Sequence, residues 1–321
     1  MTSGDSTEAK PAPAQAPAGD PFAVSTRWNA HRHLEGEAVV DEILGAGFAR
    51  IELGYNLTAN LVPGVRSRVQ SGAVKITSVH NFCPVPLGAA GGHPELFLLA
   101  DLREKARQMA VQYTTRTIEF AAEMGAPCVV VHAGRVDMRQ YTPKLIELHE
   151  AGLYQERKYE RVKMKLLAKR EKKAPRHVES LCRSLMELLP ALEQHRVCLA
   201  IENLPSWEAV PSEPEMAQIL LRFPTPSIAV WYDTGHGQVR ENLGFISQRH
   251  WVSRFMPRLA GFHIHDVAAP ASDHLMPPAG SIDFSLFKDA VVGRHLVLEP
   301  LAHIKGRLQG DGVSAGRFHR R

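Results

Sequence analysis

The stretch SIAVWYDTGHG, residues 227–237, is an apolar, β-favouring run that ends on Asp233 and breaks at once into a glycine-rich turn. Three later or earlier runs are built the same way. RVCLAIEN (196–203) delivers Glu202, LAGFHIHD (259–266) delivers His263 and His265, and RHLVLEP (294–300) delivers Glu299. One polar residue ending a buried strand needs no explanation, because it can cap the helix that follows. Three carboxylates and a histidine at successive strand ends are different: they converge on one point if the strands close into a barrel. Several carboxylates gathered there repel one another and lose hydration, at several kcal/mol per ion, unless a cation neutralises them. The pattern therefore points to a metal-centred site.

Working outward, four more runs complete a set of eight: FAVSTRW (22–28), ARIELG (49–54), VKITSVHNF (74–82) and PCVVVHAG (127–134). Helical patterns lie between them, such as LEGEAVVDEILGAG (34–47), closed by Gly47, and the stretch 94–125, closed by Gly125. Strands alternating with helices predict an α/β fold with a parallel sheet, and eight such units predict a single (β/α)8 barrel. The open doubly wound alternative lacks its mark, since no GxGxxG or phosphate loop follows the first strand. The connection between the fourth and fifth strands is unusually long, which predicts a helical insertion over about 140–195.

Composition agrees with one barrel-sized domain: 321 residues, 44% hydrophobic, 22% charged, net charge +4. The Ala- and Pro-rich stretch 1–20 cannot bury enough surface to offset its ordering entropy and is expected to be a disordered tail. The barrel is expected over 21–305, followed by a basic tail over 306–321. No apolar stretch approaches bilayer-spanning length and the start lacks a signal-peptide layout, so a cytoplasmic protein without membrane contact is expected. Cys83, Cys128, Cys182 and Cys198 are scattered and are read as reduced and structural.

Side-chain alternation places His263 and His265 on the same face, so parity alone leaves both open as ligands. His236 follows Asp233 by three residues in the Gly-rich turn, and His80 and His132 end the third and fourth strands.

In its motifs the chain resembles the xylose isomerase-like TIM-barrel superfamily, which holds sugar isomerases and epimerases together with endonuclease IV-type enzymes. The matching pieces, in order, are GFARIELG, the strand-end His80 and His132, IEN, DTGH, HIHD, DHLMPPAGSIDF and LEP. The resemblance implies that Glu202, Asp233, His263 and Glu299 bind one divalent metal, and that Glu202 and Glu299 also act as acid and base. The implied reaction is isomerisation or epimerisation of a sugar, keto-sugar or polyol by proton abstraction next to a carbonyl, through a metal-stabilised enediolate. Mn²⁺ is the favoured ion, and Mg²⁺, Co²⁺ or Zn²⁺ suit the same donors. His80, His132, His236, His274 and Trp207 are the expected substrate contacts.

Three other readings share the barrel. A dehydratase or lyase of inosose or keto-sugar type uses the same site. An endonuclease IV-like zinc phosphodiesterase would use His80, His132 and His236 as further ligands, but the Asp-x-His pair of those nucleases is here Ser272, Asp273, His274. The sugar-isomerase G-E-G is replaced as well, by Ala279, Gly280, Ser281. A non-catalytic sugar-binding barrel is the third, and the intact quartet argues against it. The basic stretch from Arg157 to Arg176 is read as a solvated helix face rather than a nucleic-acid site, because Glu160 and Glu171 interrupt it and Val162, Met164, Leu166 and Leu167 need surface to cover. An insertion on this side of a barrel suits a lid or a contact in a homo-oligomer.

Overall fold

The computed structural model describes residues 21–300. The two expected tails, and the last residues of the expected barrel domain, lie outside that range.

Eight parallel strands form the barrel: β1 (Phe22–Ser25), β2 (Arg50–Leu53), β3 (Lys75–His80), β4 (Cys128–Val131), β5 (Cys198–Glu202), β6 (Ile228–Asp233), β7 (Leu259–Ile264) and β10 (His295–Leu298). They close in the order β1-β10-β7-β6-β5-β4-β3-β2. All eight coincide with the runs read from the sequence. Between β7 and β10 the chain adds an antiparallel hairpin, β8 (Asp266–Ala268) and β9 (Ser272–Leu275), which the sequence reading did not foresee.

Period-two alternation sorts the strand residues. Leu199, Ile201, Val230, Tyr232, Phe262, Ile264 and Leu298 join the main core under the helices, while Ala23, Val130, Ala200, Ala229, Trp231 and Val297 cluster in the barrel interior. Trp231 fits there because its neighbours are small. A Cβ on Gly261 would lie 2.4 Å from the indole. The indole therefore forms a floor, and the inward-facing ends of the strands above it carry the polar residues. Register completes the arrangement by pairing Asp233 with His263 and Glu52 with Ser78.

Helices α1 (Gly36–Gly45), α2 (Val62–Gln70), α3 (Glu104–Glu123), α6 (Glu213–Arg222), α7 (Thr234–Asn242) and α8 (Gln248–Phe255) follow the strands, with α4 (Thr142–Glu150) and α5 (Arg157–His195) forming the long insertion. Gly47 and Gly125 take the left-handed backbone expected after a helix end, with φ of +93° and +70°. The helix expected over 94–125 starts later, at Glu104. Residues before it spend their main chain on tertiary bonds instead: Ala100 N–H donates to Ala133 O and Ser184 Oγ donates to Leu99 O, and the Asp101 carboxylate then accepts from Arg103 N–H.

The 39-residue α5 packs on α3 and α4 and binds the loops beside the barrel mouth. Arg170 donates to Trp207 O and Ala209 O and pairs with Glu215, while Lys163 donates to Leu243 O and Gly244 O. No residue of its basic stretch lines the barrel-mouth cavity among the described residues; the insertion's contribution to that wall comes from Gln140 and α4.

Candidate metal centre

β5 and β6 are locked together at their C-terminal ends. Asn203 Nδ2 donates to Asp233 O at 3.0 Å and its Oδ1 accepts from Asp233 N–H at 2.8 Å, so Asn203 serves β6 rather than the neighbouring Glu202 side chain. Asp233 then caps α7, accepting from His236 N–H at 2.6 Å. That cap turns the DTGH segment so that His236 Nδ1 lies 3.4 Å from Glu202 Oε1 and 3.5 Å from Asp233 Oδ2.

The four residues singled out at the strand ends meet at one atom. His263 Nδ1 lies 3.2 Å from Glu202 Oε1, 3.9 Å from Glu299 Oε2 and 4.0 Å from Asp233 Oδ2. Ligands held about 2.0–2.2 Å from a common ion stand roughly 3–4 Å from one another. The three distances from His263 fall in or at the edge of that range. Glu202 with Asp233, and Asp233 with Glu299, each belong to a group of donors close enough to hold one ion, so three carboxylates and one imidazole suit a divalent cation. All four side chains are buried. Burial raises the Glu202 carboxyl but the histidine charges of His263 and His132 overcome it, leaving the group well below the usual range. For His263, burial opposes protonation and the carboxylates of Glu52, Glu202 and Glu299 drive it the other way, well above the usual value.

Two residues that the sequence reading missed complete this centre. Glu52, wholly buried at the end of β2, puts its oxygens 3.1 and 3.2 Å from His263 Nε2 and accepts from Ser78 Oγ at 2.7 Å. A carboxylate accepting from Nε2–H turns Nδ1 toward the quartet, where its lone pair becomes available once a cation replaces the Nδ1 proton, the common orientation of a metal-binding imidazole. Arg27, on the short turn after β1, lies with Nη1 3.3 Å from Glu299 Oε1 and 3.1 Å from His274 Nε2. Against the effect of burial, Arg27 and His263 hold the Glu299 carboxyl far below its ordinary value. Both residues stand in runs already read as strands, ARIELG and FAVSTRW, so a charged residue at each strand's C-terminal end was the available signal.

Glu202 has a second face. Its Oε2 lies 3.2 Å from His80 Nε2 and 3.3 Å from His132 Nε2. His80 Nδ1 is 3.0 Å from the Asn81 carbonyl, which can only accept, so that nitrogen carries the proton.

Above the quartet opens a cavity of about 430 Å³, whose lining includes Arg27, His80, His132, His236, His274 and Glu299. Pro143, Ile146 and Leu204 add an apolar side, and Arg135, paired with Glu95, stands in the same wall. His274 is depressed to about 4 by burial and by the neighbouring His265 and Arg27. Trp207, expected at the substrate, is elsewhere. Its ring stacks on Phe245 at 4.5 Å, flanked by Arg170 and Arg240, and it lines a separate groove between α5 and α6. Proline and serine following Glu202 occupy the mouth, and the chain has turned outward by residue 207.

A profile of the family described as xylose isomerase-like TIM barrel matches residues 40–299. The chain belongs to this family. One curated relative, the uncharacterized protein y4fM of Sinorhizobium fredii (strain NBRC 101917 / NGR234), is 28% identical over 185 residues, 58% of this chain and 49% of that protein, so the match spans about half the relative's length. Among solved structures, the 3-keto-D-glucoside 4-epimerase YcjR from E. coli aligns with TM-score 0.63 and 14% identity, covering 93% of this chain and 96% of that one. The IOLI protein with a bound zinc atom aligns with TM-score 0.60 and 12% identity over 90% and 92%. At these identities the structural likeness establishes the fold. No helix among the described residues is long and apolar enough to cross a membrane.

Proposed function

We propose that this family member is a divalent-metal-dependent isomerase or epimerase of a keto-sugar or related polyol, with Glu202, Asp233, His263 and Glu299 as the metal ligands. The observation that carries the reading is the approach of one oxygen from each carboxylate to within 3.2–4.0 Å of His263 Nδ1. The 3-keto-glucoside epimerase named among the solved structures, and the zinc bound in the IOLI protein, support it through a shared fold.

When bound, the cation supplies Lewis acidity toward a substrate carbonyl and the adjacent hydroxyl, which acidifies the carbon between them. The chain supplies the proton transfer. Glu202 on β5 and Glu299 after β10 are separated around the barrel by β6 and β7, so they approach the centre from different sides. One removes a proton from one face of the carbon and the other returns it, on the opposite face for an epimerase. Arg27 holds the Glu299 carboxylate ionised and in place at the edge of the cavity. His132, His236 and His274 line the cavity within reach of substrate hydroxyls, and the apolar wall from Pro143, Ile146 and Leu204 displaces water. A dehydratase would use the same base and expel a hydroxyl instead of recovering the proton.

The test is solvent exchange. Protein loaded with Mn²⁺ and incubated in D₂O with ketohexoses, 3-keto-glucosides and inososes is expected to place deuterium next to the carbonyl of at least one substrate. Metal-loaded protein that exchanges none of them removes the reading.

One observation favours a second reading with more than one cation. His80 and His132 both turn Nε2 to Glu202 Oε2, at 3.2 and 3.3 Å, and His80, Glu202 and His263 form a group whose donor atoms are close enough to hold an ion. A multi-metal centre suits phosphodiester hydrolysis, as in the endonuclease IV relatives. Elemental analysis giving about one ion per chain supports the first reading, and two or three zinc ions support the second.

A further inference from the structure

Beside the quartet, His265 makes a hydrogen-bond pattern that only one tautomer satisfies. Its Nδ1 accepts the main-chain N–H of His274 at 2.9 Å, so that nitrogen offers a lone pair. The ring proton is therefore on Nε2, which lies 2.9 Å from Asp233 Oδ1 and 3.0 Å from Oδ2 and donates to that carboxylate. The ring has no freedom to leave this position. Thr234 Oγ1 donates to His265 O at 2.9 Å, fixing the main chain, and a Cβ on Gly235 would lie 2.0 Å from the imidazole Cε1. Glycine is the residue that lets the ring lie there.

His274, the donor to Nδ1, is itself held in an unusual way. It takes a left-handed backbone, φ +55°, on strand β9, and its ring stacks on that of His265 with centroids 4.0 Å apart. The same His274 side chain lines the cavity beside Arg27 and Glu299. An unbroken chain of contacts thus runs from the cavity wall, through the β8–β9 hairpin and His265, to the carboxylate of Asp233.

We propose that His265 is a positioning residue: its Nε2–H sets the orientation of Asp233 for cation binding, and through His274 it ties that orientation to the hairpin bordering the cavity. The inference rests on the reading of Asp233 as a metal ligand. Parity permits His265 as a ligand itself, and it belongs to two groups of donors that could hold an ion, with Asp233 and Glu299 and with His236 and His274. Its hydrogen bonds favour the positioning role, since Nδ1 is filled by a main-chain donor and Nε2 is turned to Asp233. Partners of this kind commonly change metal affinity 10–100-fold when removed. Since coupling between two binding events is reciprocal, a cavity ligand that orders the hairpin should tighten metal binding by the factor by which metal tightens the ligand.

Mn²⁺ titration of the full-length protein, followed by the electron paramagnetic resonance of free Mn²⁺, tests this without any substrate. His265→Phe is expected to weaken Mn²⁺ binding by about 10–100-fold. His265→Gln, whose Nε2 can donate to Asp233 from nearly the same place, should recover most of the loss. Gly235→Ala keeps His265 but displaces its ring, and should weaken binding as His265→Phe does, so the result stands even if the Phe variant folds poorly. Unchanged Mn²⁺ affinity in folded His265→Phe and Gly235→Ala protein overturns the inference, whatever happens to their melting temperatures. A Gln variant as weak as Phe overturns it too, because the donated N–H then carries nothing. Wild-type protein that binds no divalent ion fails at the earlier step, the metal reading itself.

Discussion

Glu52 and His263 stand 211 residues apart in sequence and within 3.1 Å in space, the carboxylate at the end of β2 accepting from Nε2 of the imidazole in β7. This contact turns His263 Nδ1 toward Glu202, Asp233 and Glu299. Glu52 therefore orients the one nitrogen ligand of the candidate centre from the opposite side of the ring.

Glu52→Gln is expected to lower divalent-metal affinity by about 10–100-fold, since the amide can present its N–H side to His263 and lose the tautomer that faces the metal. Equilibrium dialysis against Mn²⁺ or Zn²⁺ measures it. Unaltered affinity would show that the ring is oriented without Glu52.

Removing the metal should destabilise the fold. Glu52, Glu202, Asp233 and Glu299 are all buried within one site, and their repulsion is least compensated in the metal-free protein. A cation present at a hundred times its dissociation constant stabilises by about 2.7 kcal/mol, so chelation should lower the melting temperature by several degrees, reversibly on re-addition. Scanning calorimetry with and without chelator reads the difference.

Glu299→Gln should abolish deuterium exchange into a keto-sugar and weaken metal binding, while the protein still folds. Arg27→Met should act more mildly. It leaves the carboxylate in place but removes a charge-assisted hydrogen bond worth about 1.5–3 kcal/mol, a loss of roughly 10–100-fold in kcat/KM. An Arg27→Met enzyme as fast as wild type would take Arg27 out of the proton transfer.

Far from the centre, Arg170 and Glu215 form a partly buried pair that also secures Trp207 O and Ala209 O. Burial raises the Glu215 carboxyl, but the Arg170 hydrogen bond and charge outweigh it and leave the group below its usual 4.5. A depressed carboxylate contributes its full stabilisation above 4.5 and loses it as pH falls through the lower folded value. The stability gap between wild type and Glu215→Gln should therefore be widest at neutral pH and close below pH 4.5. Denaturant melts at several pH values give the comparison, and a gap independent of pH would assign the effect to the α6 capping box, in which Glu215 also takes part.

Trp207→Ala should cost stability and leave substrate KM nearly unchanged, because the ring is engaged with Phe245, Arg170 and Arg240 instead of the cavity. Buried Trp-to-Ala changes cost ~3–5 kcal/mol, and a half-buried ring belongs at the low end. Urea melts beside steady-state kinetics separate the two effects.

Local pattern carried much of this fold. The barrel follows from period-two burial in eight short runs, because alternation at strand ends such as Ala200–Glu202 and Trp231–Asp233 dictates which side chains face inward wherever the strands close. Position at a strand's C-terminal end likewise made Glu202, Asp233, His263 and Glu299 legible as a set. What sequence spacing could not supply were the partners: Glu52 for His263, Arg27 for Glu299, the division of labour between His263 and His265, and the removal of Trp207 to an outer groove. Those depend on the register between neighbouring strands, on Gly235 and Gly261 making room for particular rings, and on main-chain bonds from a hairpin without a strong periodic signal. Periodicity reports which residues are buried. Only the closed barrel decides which buried group meets which, because those meetings join strands distant in sequence.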